Sequence, residues 1–295
     1  MFRYQTRSCS LLGPVALALA MLIASFASAQ TIEPTESDDA DAVTVSAGID
    51  FTNAYMLRGF RQDDSKLITS PRVDVGIAVY RGDGVLKSVR VGGGMWNSLD
   101  PGDAGTNGPS GKLWYERRFN GTGEMLFSAG LSVAAMYTAY TSPNSMFTSV
   151  KEAAVRVGVV DQLLSGGSGI NPYALVAFEL DTAPGVGQLD GGFRAGRYLE
   201  LGASPSFGAG RIRVTVPLRV GLSLRDYYEL AGTDHTFGFA SVGGSLTVPL
   251  TKPSNLGRWD VHGGIEVERL GDATRVLNDG NRWKPVAALG IGWRR

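Results

Sequence analysis

Apolar and polar residues alternate strictly, one for one, in segment after segment of this chain. Val43, Val45, Ala47, Ile49 and Phe51 interleave with Thr44, Ser46, Gly48, Asp50 and Thr52. The pattern returns in Val73 to Val79, in Phe127 to Val133, in Val155 to Val159 and, most fully, in Ile212 to Leu222 against Arg211, Arg213, Thr215, Pro217, Arg219 and Gly221. Period two is the signature of a strand with one greasy and one polar face. Weaker segments over 85–96, 111–119, 171–180, 197–206, 236–248, 259–270 and 282–293 bring the number of expected strands to twelve. No 18-residue apolar run and no 3.6-residue period follows residue 29, so an all-β chain is expected.

The connections discriminate between architectures. Those after odd-numbered strands are long and polar, as over 97–110, 138–150, 182–196 and 223–235. Those after even-numbered strands are shorter, as over 81–84, 120–123 and 207–210, with 161–169 and 249–258 intermediate. An up-and-down transmembrane barrel with both termini on one side has this alternation and an even strand count. Several segments run 9–12 residues, the length of a tilted spanning strand. The five tryptophans fall near strand ends, Trp96, Trp114 and Trp283 at one rim and Trp259 and Trp293 at the other, where indoles meet a membrane boundary. A transmembrane antiparallel up-and-down β-barrel of about 12 strands is therefore expected over 43–295.

Residues 1–29 read as a Sec-type secretory signal: Arg3 and Arg7, an apolar run, then Ala27-Ser28-Ala29 before Gln30. Residues 30–42, polar and acidic with Pro34, read as a disordered periplasmic tail. Cys9 lies inside the signal, so thiol chemistry and disulfides are excluded from the processed chain. Removing the two signal arginines changes 28 basic and 28 acidic residues to 26 and 28, a net charge of −2, which disfavours a nucleic-acid partner.

One stretch carries a resemblance. Tyr55-Met56-Leu57-Arg58-Gly59-Phe60-Arg61-Gln62, after Asp50, resembles the opening strand and loop of a group of Gram-negative outer-membrane porins, the TorF-like group. Tyr55, Arg58, Gly59 and Gln62 occupy its motif positions. The resemblance implies an outer-membrane barrel and little about mechanism. One departure is the ending: Arg294 and Arg295 follow Trp293, where such barrels finish on an aromatic residue for the assembly machinery.

If lipid takes the apolar faces, Asp50, Arg72, Asp74, Arg90, Lys112, Glu116, Arg118, Arg156, Arg211, Arg213, Arg219, Glu266 and Glu268 turn inward. Two readings compete. Either these groups form a salt-bridge network that blocks and stabilises a narrow barrel, or Arg72, Arg90, Arg156, Arg211, Arg213 and Arg219 form a basic ladder that guides small anions. A second group, Arg58, Glu179, Arg197, Glu200, Asp226, Tyr227, Tyr228 and Glu229, is expected at the outer rim.

Catalysis finds no support. The two histidines, His235 and His262, lie in a polar loop and near an inner strand end, and no nucleophile elbow or His-Glu-x-x-His run occurs. No cofactor or metal is expected. The expectation is a porin-like channel for passive passage of small hydrophilic solutes, with a mild preference for anions. The alternative is a non-conducting structural or surface-interaction barrel. The expected partners are outer-membrane lipid, the barrel-assembly machinery and the solutes.

Overall fold

A computed structural model describes residues 42–161, 168–181, 194–209, 211–250 and 256–295. The signal and nearly all of the acidic tail expected from the sequence lie outside the described residues.

Twelve strands form one closed antiparallel sheet. They are β1 (Val43–Thr52), β2 (Ile68–Arg81), β3 (Leu86–Leu99), β4 (Trp114–Phe127), β5 (Leu131–Thr141), β6 (Val150–Val159), β7 (Tyr173–Glu179), β8 (Arg197–Ala203, then Ser206–Ala209), β9 (Ile212–Thr215, then Leu218–Arg225), β10 (Phe237–Pro249), β11 (Arg258–Leu270) and β12 (Trp283–Arg294). Each strand pairs with its sequence neighbours, and β1 closes the sheet on β12 through Ser46 to Thr52 against Arg294 to Ala288. Closure gives every strand a hydrogen-bonded neighbour on both sides, although beyond Ser206 the described part of β8 pairs with β9 alone.

β8 and β9 are interrupted beside Pro205 and Pro217, which have no N–H for the ladder. Their carbonyls still accept bonds from Val216 (2.7 Å) and Gly243 (3.0 Å), so the wall remains continuous there.

The alternation sorts the faces. Val73, Val75 and Ile77 are 38%, 43% and 43% exposed, and Val91, Val155, Leu201, Val242, Ile265 and Ile291 join them in an outward apolar belt. Their neighbours Asp50, Glu116, Arg118, Arg156, Arg219, Glu266 and Glu268 are buried inside. This inverts the soluble arrangement: carboxylates and guanidiniums are covered while aliphatic side chains face out. If lipid covers that belt, a Lys or Arg on it would cost ~2–4 kcal/mol at mid-depth.

Three readings of the sequence need correction. Asn120-Gly121-Thr122-Gly123 is no turn but the middle of β4, paired with Gly94 to Val91 on one side and Thr138 to Ala135 on the other. An Asn-Gly pair is a hairpin signal, but turning there would strip partners from the first half of β3. The turn forms instead at 128–130, where Ala129 and Gly130 take positive φ, and Phe127 therefore ends β4 and does not open β5. Near 207–210 the strand continues to the closing pair Ala209 and Ile212, so Arg211 sits on the hairpin turn at the barrel's end, exposed, rather than on its wall. Trp96 turns inward against the Tyr55 ring (5.2 Å between centroids), away from the boundary role expected of it.

Candidate functional site: a plugged lumen

The first long loop does not stand in solvent. Tyr55–Leu57 and Phe60–Asp63 form a two-stranded hairpin that makes no ladder with the barrel and folds into its outer half. Arg58 and Gly59 both have positive φ, 50° and 85°, as a two-residue type I′ connection requires. Gly59 suits its position twice over, since an added Cβ there would lie 3.0 Å from the Cβ of Phe239. Arg58 adopts this uncommon backbone region with its side chain fixed at the other end.

That fixing is a forked ion pair. Arg58 Nη1 and Nη2 donate to Glu152 Oε2 and Oε1 of β6 at 2.5 and 2.8 Å, and Nη1 also donates to the Tyr227 hydroxyl at 3.0 Å. The guanidinium lies 4.1 Å above the Tyr198 ring. Tyr228 closes the other side by donating its hydroxyl to the Arg58 carbonyl (3.0 Å).

On the hairpin's opposite flank Tyr55 donates to Glu116 Oε2 (2.9 Å) and takes a bond from Arg118, which is itself paired to Glu116 at 2.9 Å. Tyr115 donates to Gln62 Oε1 (2.6 Å), Arg61 forks onto Asp279 (2.6 and 3.0 Å), and Lys284 of β12 pairs with Asp64. All four motif residues behind the sequence resemblance, Tyr55, Arg58, Gly59 and Gln62, therefore belong to the hairpin and its seating.

Packing completes the stopper. Met56 and Phe60 join Tyr198, Tyr227, Tyr228, Phe239, Leu270 and Val286 in one apolar cluster, while Tyr55 and Leu57 join Ile68, Tyr115, Tyr140 and Val150 in another. Together the two clusters reach β2 to β8 and β10 to β12 across the lumen. Most of the group expected at the outer rim is covered: Tyr227, Tyr228, Glu179, Glu200, Asp226 and Glu229 are buried. Glu152, Tyr173 and Tyr198 escaped the sequence reading. Tyr173 and Tyr198 both donate to Glu200, at 2.6 and 2.5 Å.

Below the plug the wall is polar and mixed in sign. Arg72 pairs with Asp50, and His262 bridges Asp50 (2.7 Å) and Asp260 (2.9 Å). Arg219 pairs with Glu266 and lies 3.8 Å from Glu268. Arg90 stands opposite Glu124 in register, and the same row continues through Ala134, Arg156, Leu175 and Glu200, so signs alternate along it. Arg90 also bonds the Thr44 hydroxyl (2.9 Å), Asp74 crowds Gly94, and Arg156 lies 4.2 Å above the Tyr173 ring. Arg213 stands opposite Gly208 and Thr247. Lys112 is exposed in the 100–113 loop. Among the described residues no group of three or more His, Cys, Asp or Glu gathers as a metal site.

That loop adds a titrating group above the plug. Asp100 is fully buried, takes a bond from Ser98 Oγ (2.5 Å), and has its Oδ2 unpartnered. Burial pushes its carboxyl up to about 7; the Ser98 bond opposes this, and the Asp63 and Glu116 charges reinforce it. A carboxyl that titrates near 4 when unfolded and near 7 when folded holds the loop best below about pH 4, and that contribution is lost as pH rises through 7. Acrylamide quenching of tryptophan fluorescence should therefore increase from pH 5 to pH 8 in the wild type, through Trp96 and Trp114, and change little in Asp100→Asn. Equal pH responses would dismiss the role of Asp100.

The chain thus belongs, by architecture, to the closed antiparallel barrels of twelve strands. Among solved structures it is similar to an outer membrane channel from Pseudomonas putida F1 (8% identity, TM-score 0.48, covering 89% of this chain and 98% of that one). It is also similar to the β domain of the Bordetella autotransporter BrkA (12%, 0.44, 86% and 99%) and to the NanC porin (8%, 0.42, 85% and 99%). No family model matches the chain, and no curated relative matches it in sequence.

Proposed function

We propose that the chain is a porin-like barrel of a Gram-negative outer membrane, delivered by its Sec-type signal and closed by the assembly machinery. It passes small hydrophilic solutes passively when the hairpin leaves the lumen. The observation that carries this reading is the combination of a polar wall with a stopper that shares no ladder with it. A barrel meant only as a solid body has no need for a separable plug. The outward belt of Val73, Val75 and Ile77 supports membrane insertion, and the hairpin motif supports a place in the TorF-like group.

The wall tempers the anion preference expected from its arginines. Asp50, Asp74, Glu124, Glu200, Glu266 and Glu268 stand among Arg72, Arg90, Arg156, Arg213 and Arg219, so selectivity should be weak. In planar bilayers the refolded protein should open rarely, and the reversal potential in a KCl gradient should move toward cations in Arg72→Ala/Arg213→Ala. The plug itself favours a second reading, a permanently shut barrel that presents its loops to a partner. Absence of conductance in both the wild type and a variant with the hairpin released would decide for that reading.

A further inference from the structure

Outside the barrel, at the outer ends of β8 and β9, the charge pattern reverses the logic of the apolar belt. Arg197 and Arg225 are direct cross-strand partners, and both are exposed. A bulge between Arg197 and Tyr198 turns Leu224 and Arg225 outward together while Ser223 stays inside. Like charges directly opposite each other on a sheet are unfavourable. Arg194, 65% exposed, stands beside them. One carboxylate serves this group: Asp226 lies 3.4 Å from Arg194 and 3.1 Å from Arg225, and Arg197 has no acidic partner among the described residues. Among the described residues three guanidiniums stand against one carboxylate, an excess charge of +2.

On the same outward face Phe178 stands level with Arg197 as its partner on β7 and Leu224 adjoins Arg225 in the bulge, while Leu201 lies four residues further along β8; they are exposed at 40%, 51% and 46%. A basic cluster adjoining an apolar strip matches an amphiphile with an anionic head and acyl chains. Arginine favours phosphate because its planar fork meets two oxygens at once.

We infer that the Arg194, Arg197 and Arg225 cluster is a docking site for the phosphate group of a phosphorylated glycolipid in the outer leaflet, with its chains lying along β7 to β9. The site rests on the membrane reading given above but not on conduction.

The test uses the full processed chain refolded in detergent, with binding of diphosphoryl lipid A measured by native mass spectrometry. Arg197→Gln/Arg225→Gln should bind about 10- to 30-fold more weakly than the wild type, from roughly one unit of surface attraction lost per arginine. Enzymatically dephosphorylated lipid A should bind wild type and variant alike, and inorganic phosphate alone should displace lipid A poorly, because it gains nothing from the apolar strip. Undiminished lipid A binding by the variant, equal wild-type affinity for the dephosphorylated lipid, or ready displacement by inorganic phosphate would each overturn the site. Flotation with phosphatidylethanolamine vesicles separates the two premises. A wild-type chain that does not float removes the membrane reading and the site with it, whereas a floating chain with unchanged variant binding removes the site alone.

Discussion

Arg58→Ala should convert a mostly shut barrel into one that conducts in planar bilayers for much of the recording. The substitution leaves the Glu152 carboxylate, 3% exposed, without its forked partner inside the lumen. Breaking one half of such a buried pair costs about 3–5 kcal/mol. That energy shifts a seated-to-released equilibrium by roughly a hundred- to several-thousand-fold. The loss falls on the hairpin rather than on the wall, because the hairpin is a separate two-stranded sheet. Circular dichroism and heat-modified electrophoretic mobility should therefore remain those of a folded barrel.

Arg58→Lys retains the charge without the fork and should open less. Arg58→Leu/Glu152→Leu removes both charges and should recover much of the closure, which makes the pair a double-mutant cycle with conductance as its readout. A shut Arg58→Ala barrel would show that the hairpin is not held by this contact.

Arg219→Met should have the largest effect on stability. Arg219 is the guanidinium shared by Glu266 and Glu268, all three about 4–5% exposed at their side chains. Without it two carboxylates sit side by side on alternate positions of β11 and lose the guanidinium that pairs with both. The loss should be about 3–5 kcal/mol, read as a lower urea midpoint with an unchanged slope. Arg219→Met/Glu266→Gln/Glu268→Gln should regain most of the loss. A single variant as stable as the wild type would mean that water solvates this part of the wall.

The barrel was legible because a closed sheet with an apolar outside and a polar inside imposes its rule residue by residue. Val43 to Phe51 and Ile212 to Leu222 alternate cleanly since one face must be apolar and the next must not. Where the sequence misled, a local signal lost to pairing. Asn120-Gly121 has turn chemistry, but β3 and β5 supply partners to residues on both sides of it. Inward parity likewise identified Arg72, Asp74, Arg90, Glu116, Arg156, Arg219, Glu266 and Glu268 as facing away from the belt. It placed Arg211 one step too far along, because the turn after β8 is tighter than the glycines suggest.

The plug was hidden for a different reason. Tyr55 to Asp63 reads as a polar loop root after a strand, and its partners Glu152, Tyr198, Tyr228 and Phe239 lie 90 to 180 residues away in sequence. Periodicity reports what a segment does locally and says nothing about which loop folds back inside. The usable clues were Arg58-Gly59, a pair able to turn tightly, and Tyr227-Tyr228, two bulky rings in a loop that solvent alone would not need.

Seating the hairpin also has an order in time. It follows β1 directly, and beside its seats on β4, β6 and β8 a further part of its socket comes from β10, from the 271–282 connection and from β12, where Lys284 meets Asp64. That part takes shape when the last strand zips onto the first. Full seating is therefore expected only when β12 has paired with β1. The closed cylinder thus holds its stopper by contacts that an unclosed sheet lacks.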